Sequence, residues 1–120
     1  MPASIAIIDD DEDVRESTRQ LLRSRGYSTL AFASAEDFLK SDEVIQVVCV
    51  VTDMRMPGMN GVALQARLID QGNSVPVIFV TAFPEQNLKE QVLAAGARGF
   101  LVKPYQEASL IDCIEAALKA

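Results

Sequence analysis

The chain has 120 residues, 49% of them apolar, and a formal net charge of −6 with no histidine. That is enough for one domain with a real core, and it lacks the clustered Lys and Arg that nucleic acid or an anionic membrane surface demands. Without histidine, His-based general base chemistry and a phosphohistidine on this chain are both excluded.

No stretch reaches the length of a membrane span; the longest apolar run is Val47-Val48-Cys49-Val50-Val51. The start, Met1-Pro2-Ala3-Ser4, has neither the basic segment nor the long apolar stretch of a signal peptide. Cys49 and Cys113 form no disulfide framework and lack metal-ligand spacing, so both are expected as small core residues of a reduced, cytoplasmic domain. Five acids stand together at residues 9–13, and elsewhere twelve acids nearly cancel eleven bases.

In chain order, Ile5-Ala6-Ile7-Ile8 is too short for a helix and reads as a strand. Val14, Thr18, Leu21 and Leu22 then share one helical face, which stops at Arg23-Ser24-Arg25-Gly26. Residues 28–32 form a weaker strand. Ser34-Ala35-Glu36-Asp37 matches a capping box before Phe38-Leu39. Residues 45–52 are almost continuously apolar, as in a central strand covered on both faces. Residues 61–71 read as a helix closed by Gly72, and 75–81 as another buried strand. Residues 85–95 place Leu88, Val92 and Ala95 in helical register before Gly96. Phe100-Leu101-Val102 is a fifth short strand. Leu110, Ile111, Ile114, Ala117 and Leu118 mark an amphipathic last helix running to Ala120.

Strands alternating with helices predict a parallel sheet covered by helices on both faces, with right-handed crossovers. Ligands of such open sheets bind beyond the carboxyl ends of the strands. The residues leaving the strands there are Asp9-Asp10, Asp53, Thr81 and Lys103.

Asp11, Glu12 and Asp13 suit the first turn of a helix, where the dipole is positive. Asp9 and Asp10 directly follow a buried strand, and so does Asp53, whose turn signal Pro57-Gly58 comes four residues later. Three carboxylates at one edge repel, each pair by about 3 kcal/mol at ~5 Å and an effective dielectric of ~20. A cation offsets this, and oxygen ligands beside a phosphate suit Mg2+. Singly, Thr81 fits ordinary strand composition and Lys103 a solvated surface. Together with a carboxylate and Mg2+ they supply a hydroxyl and an ammonium for phosphate oxygens. The chemistry expected is phosphoryl transfer to a carboxylate.

These residues carry a family resemblance over residues 4–119. Ile7-Ile8-Asp9-Asp10, the stretch from Thr52-Asp53-Met54-Arg55-Met56-Pro57 to Gly61, Val80-Thr81-Ala82 and Lys103-Pro104-Tyr105 occur in the order found in receiver domains of bacterial two-component response regulators. The chain resembles those domains, most of all the receivers of transcriptional regulators. The resemblance implies a single receiver domain over 1–120. Its fold would be a doubly wound, flavodoxin-like (βα)5 three-layer sandwich with strand order 2-1-3-4-5. It implies Asp53 as acceptor of a phosphoryl group from a sensor histidine kinase or a histidine phosphotransfer protein. Mg2+ would be held by Asp9, Asp10, Asp53 and the Arg55 carbonyl, with Thr81 and Lys103 on the phosphoryl oxygens. Thr81 and Phe100 would be the switch pair, and Lys103-Pro104 would be cis. An output domain or effector, and a phosphorylation-dependent homodimer, are the further partners implied, with no direct nucleic acid binding by this domain.

Phe83-Pro84 departs from the commonest pattern; loop variation and a shield over the acyl phosphate are both open readings. Two other functions compete: a phosphohydrolase with its nucleophile at Asp9-x-Asp11, and a receiver reduced to an interaction module. No output segment follows Ala120, which suits a stand-alone regulator and a receiver from a longer protein alike.

Overall fold

The structure, a computed structural model, describes residues 3–119 apart from the Ile45 side chain. Five strands, β1 (Ser4–Ile8), β2 (Ser28–Phe32), β3 (Val47–Asp53), β4 (Val77–Thr81) and β5 (Gly99–Val102), alternate with five α-helices. The helices are α1 (Glu12–Ser24), α2 (Ala35–Lys40), α3 (Gly61–Asp70), α4 (Gln86–Ala94) and α5 (Glu107–Lys119). All strand pairs are parallel, in the order β2-β1-β3-β4-β5, as the resemblance implied.

Alternation along the strands divides the interior into two cores. Ala6 and Ile8 face one side with Val50, Phe79, Phe38 of α2, Leu64 of α3 and Val92 of α4. Ile5 and Ile7 face the other with Cys49, Val51, Leu22 of α1 and Leu110 and Ile114 of α5. With apolar residues on both faces, β1 and β3 read as continuous runs, the pattern of a sheet covered on both sides.

Two strands start later than the sequence suggests. Ser41 caps a 3₁₀ turn over Asp42–Gln46, which takes up the first two residues of the expected third strand. Pro76 has no N–H for a ladder, and the Val75 N–H turns to Asn73 Oδ1 at 3.0 Å, so β4 begins at Val77. The last helix is described to Lys119; Ala120, Met1 and Pro2 lie outside the described residues. Cys49 is fully buried, which pushes its thiol up to about 12, and Cys113 is half-buried; both are free thiols.

Candidate functional site

The parallel register brings the carboxyl ends of β1, β3, β4 and β5 to one edge. Ile8 pairs with Thr52, Asp53 with Val80, and Thr81 with Val102, so Asp9, Asp53, Thr81 and Lys103 leave the sheet side by side. Carboxylate oxygens of Asp9, Asp10 and Asp53 lie within 4.8 Å of one another. Asp9 is buried, Asp53 half-buried and Asp10 exposed.

Asp9 is held from several directions. Its Oδ1 accepts the Asp11 N–H at 2.9 Å, and its carbonyl accepts the Arg15 guanidinium at 2.8 Å. The Lys103 ammonium donates to Asp9 Oδ2 and to Asp53 Oδ2, both at 3.1 Å. Burial raises the Asp9 carboxyl above its ordinary value, outweighing the Asp11 N–H and Lys103, which favour the anion. Burial alone would lower Lys103, but two carboxylates against one ammonium reverse that, and its pKa is raised. Asp53 Oδ1 accepts the Arg55 N–H at 3.2 Å, which folds the β3–α3 loop back over the strand tip.

Thr81 is fully buried, and its Oγ1 accepts the Phe83 N–H at 3.1 Å. Among the described residues no acceptor takes its own hydroxyl proton, which leaves it for an incoming oxygen. Phe100 is partly buried, with the Lys89 ammonium 5.6 Å from its ring centroid. The Lys103-Pro104 peptide is cis. Phe83, two residues after Thr81, is 70% exposed.

Three clustered carboxylates are hard oxygen donors, and one ammonium only partly balances them, so the donor set fits Mg2+. Gly61 starts α3 in close contact with the same strand end. A Cβ there would stand 2.8 Å from the Asp53 carbonyl oxygen and 2.9 Å from Phe79, so no larger residue fits.

Some contacts around the site carry no sequence signal. Arg15 reads as one more polar residue of α1, yet it pins the loop after β1. Glu36 reads as part of a helix start, but its carboxylate bonds to Met59, 23 residues away. Arg55 and Glu85 form an ion pair between the loops after β3 and β4.

Residues 5–115 match the family model described as the response regulator receiver domain. The chain belongs to the response regulator receiver family. This receiver is 37% identical over 116 residues to the transcriptional regulatory protein TdiR of Thauera aromatica, covering 97% of this chain and 51% of that protein. It is 38% identical over 120 residues to the transcriptional regulatory protein FixJ of Azorhizobium caulinodans, covering 98% of this chain and 57% of FixJ. The receiver thus spans about half the length of the curated relatives it matches. Among solved structures, response regulator StyR aligns with TM-score 0.91 at 39% identity, over 99% of this chain and 60% of the other. FixJ-N aligns with TM-score 0.88 at 34% identity, over 99% and 95%.

Proposed function

We propose that this receiver, spanning residues 1–120, takes a phosphoryl group on Asp53 and passes the change to a partner surface. The observation that supports this most is the Asp53 carboxylate at the tip of β3, facing Asp9 and Asp10 with the Lys103 ammonium 3.1 Å away. The donor is a phosphohistidine on a sensor kinase or a histidine phosphotransfer protein. An Asp53 carboxylate oxygen attacks phosphorus, the P–N bond breaks, and the released imidazole takes up a proton. Asp9, Asp10, Asp53 and the Arg55 carbonyl would hold Mg2+, which supplies charge neutralisation for the transferring group.

The chain's own residues do the rest. Lys103 can follow the negative charge from the carboxylates to the phosphoryl oxygens, exchanging one charge-assisted contact for another. The free Thr81 proton is donated to a second phosphoryl oxygen. Phosphorylation adds charge and three acceptors where a carboxylate stood. Drawing Thr81 toward them leaves room for Phe100 to turn inward, which biases the neighbouring α4, β5 and α5. Leu93 of α4, Val102 of β5 and Leu118 of α5 are exposed apolar side chains suited to an output domain, an effector or a second copy.

The receiver promotes its own phosphorylation and dephosphorylation and acts on no separate substrate. Transcriptional control is the output suggested by TdiR and FixJ, and it falls to segments other than this acidic domain. Among the described residues no helix is long and apolar enough to cross a membrane, which fits a cytoplasmic regulator. The phosphohydrolase reading is disfavoured: Asp9 is 3% exposed, whereas Asp53 is half-buried and open to an incoming group.

Incubation with Mg2+ and acetyl phosphate, followed by intact-mass analysis, tests the assignment. The expected result is one hydroxylamine-labile phosphoryl adduct that Asp53→Asn abolishes. An adduct that survives Asp53→Asn, or no adduct at all, overturns it.

A further inference from the structure

Outside the acidic mouth, one carboxylate has no role in the chemistry above and an unusual setting. Glu36, in the first turn of α2, points at the loop between β3 and α3. Its Oε2 accepts the Met59 N–H at 3.1 Å. Gly58 beside it has φ 75°, and a Cβ there would stand 2.4 Å from the same Oε2. Oε1 is buried and has no hydrogen-bond partner. Ser34 Oγ caps α2 by accepting the Asp37 N–H at 3.0 Å, and the Glu36 carboxylate adds its own first-turn N–H to the Met59 contact. The Glu36 and Met59 N–H groups hold this carboxyl below its ordinary 4.5, so the anion that reaches across to Met59 is a favoured one.

The β3–α3 loop is fastened at its two ends. The Met54 N–H donates to the Val80 carbonyl and the Gly61 N–H to the Met54 carbonyl, both at 3.0 Å. Met54 and Met56 add buried apolar anchors. Between Met56 and Asn60, the Glu36 bond is the polar contact that reaches the loop from another element, among the described residues. That loop also contains the Arg55 peptide, whose N–H meets Asp53 Oδ1 and whose carbonyl is the proposed fourth ligand.

We propose that Glu36 is a positioning residue: it clamps the β3–α3 loop from α2 and so fixes the Arg55 peptide against Asp53 for cation binding. The inference rests on the proposed reading of Asp53 and its neighbours as the cation and acceptor site. Glycine at position 58 is called for by its φ of 75°, and the absence of a side chain there also leaves room for Oε2.

The test compares Glu36→Ala and Glu36→Gln in the full chain by amide exchange without metal and by calorimetric titration with Mg2+. In Glu36→Ala, Met59 exchange rises about tenfold and Mg2+ binding weakens severalfold, while the urea midpoint stays close to wild type. Glu36→Gln keeps an oxygen acceptor for the Met59 N–H and returns both quantities to within about threefold of wild type.

Unchanged Met59 exchange or unchanged Mg2+ affinity in Glu36→Ala overturns the clamp, and so does a Gln variant as impaired as the Ala variant. If Glu36→Ala does not fold, Glu36→Asp reports instead. Its shorter side chain cannot reach the Met59 N–H from α2 and must free Met59 and weaken Mg2+ in the same way, or the clamp is wrong. A wild-type chain that binds Mg2+ but gains no phosphoryl group on Asp53 overturns the proposed function alone, because both clamp measurements are made on unphosphorylated protein.

Discussion

Helices α1 and α4 both begin at the edge that holds the acidic site, yet they are built in opposite ways. Asp11 caps α1 by accepting the Asp13 and Val14 N–H groups, Glu12 and Asp13 occupy its first turn, and Arg23 its last. Its Arg15 reaches back to Asp9, and its Leu22 is fully buried. Helix α4 has nine residues, no side-chain cap from Glu85, no acid in its first turn and no base in its last. It is held instead from outside, by the Gln65 amide on the Val92 carbonyl at 3.0 Å, by Lys89 over Phe100, and by the Arg55–Glu85 pair. The helix beside the metal-ligand candidates stabilises itself, and the helix after Thr81 depends on its neighbours. Both helices are anchored in the core, by Leu22 and by Val92, so the difference between them lies at their ends. A displacement of Thr81 or Phe100 meets α4 contacts that other elements supply.

The contrast can be broken most sharply in the cores of the two helices. Leu22→Ala should cost about 2–5 kcal/mol of global stability by urea denaturation. Val92→Ala removes less apolar volume, and its effect should appear first as faster amide exchange confined to α4. Global destabilisation by Val92→Ala as large as by Leu22→Ala would show the two helices to be equally integral.

A smaller effect is expected at the caps. Asp11→Ala should cost about 1 kcal/mol, because two helix N–H groups lose their acceptor. Glu85→Asp offers α4 the short capping carboxylate it lacks and should slow exchange of residues 86–89 about threefold. Faster exchange there would mean that the Arg55 pair matters more to α4 than a cap does.

The smallest effect is a pH dependence on α1. The Arg19 guanidinium, hydrogen-bonded to Glu16 at 2.9 Å and 3.0 Å, lowers the Glu16 carboxyl below its ordinary 4.5. A lowered carboxyl stabilises the fold above pH 4.5, and that contribution fades as pH falls through its folded-state value. The stability difference between wild type and Glu16→Gln should hence be constant near neutrality and vanish in acid. Both carboxylate and guanidinium are partly exposed, so the difference is small at any pH.

The strand-end residues were legible because an open parallel sheet leaves little choice about where its strands point. Once residues 5–8, the apolar run before Asp53 and the runs before Thr81 and Lys103 are strands, their exits must converge. The start of β3 was not legible, since Val44 and Ile45, with only Gln46 between them and Val47, read as one run with the strand, while the Ser41 cap winds residues 42–46 into a 3₁₀ turn. Glu36 was hidden for a different reason. Ser34-x-x-Asp37 already explained a polar residue there, and nothing local announces a partner 23 residues away.

The Lys103 ammonium joins positions 94 and 50 residues away from it, at the ends of β1 and β3. Contacts over such spans repay their loop-closure entropy only after the intervening sheet has assembled. The knot of charge at the strand ends thus depends on the assembled sheet. A chain that has not yet laid β5 beside β4 carries the three carboxylates with no internal counterion, so the competent site and the finished sheet are reached together.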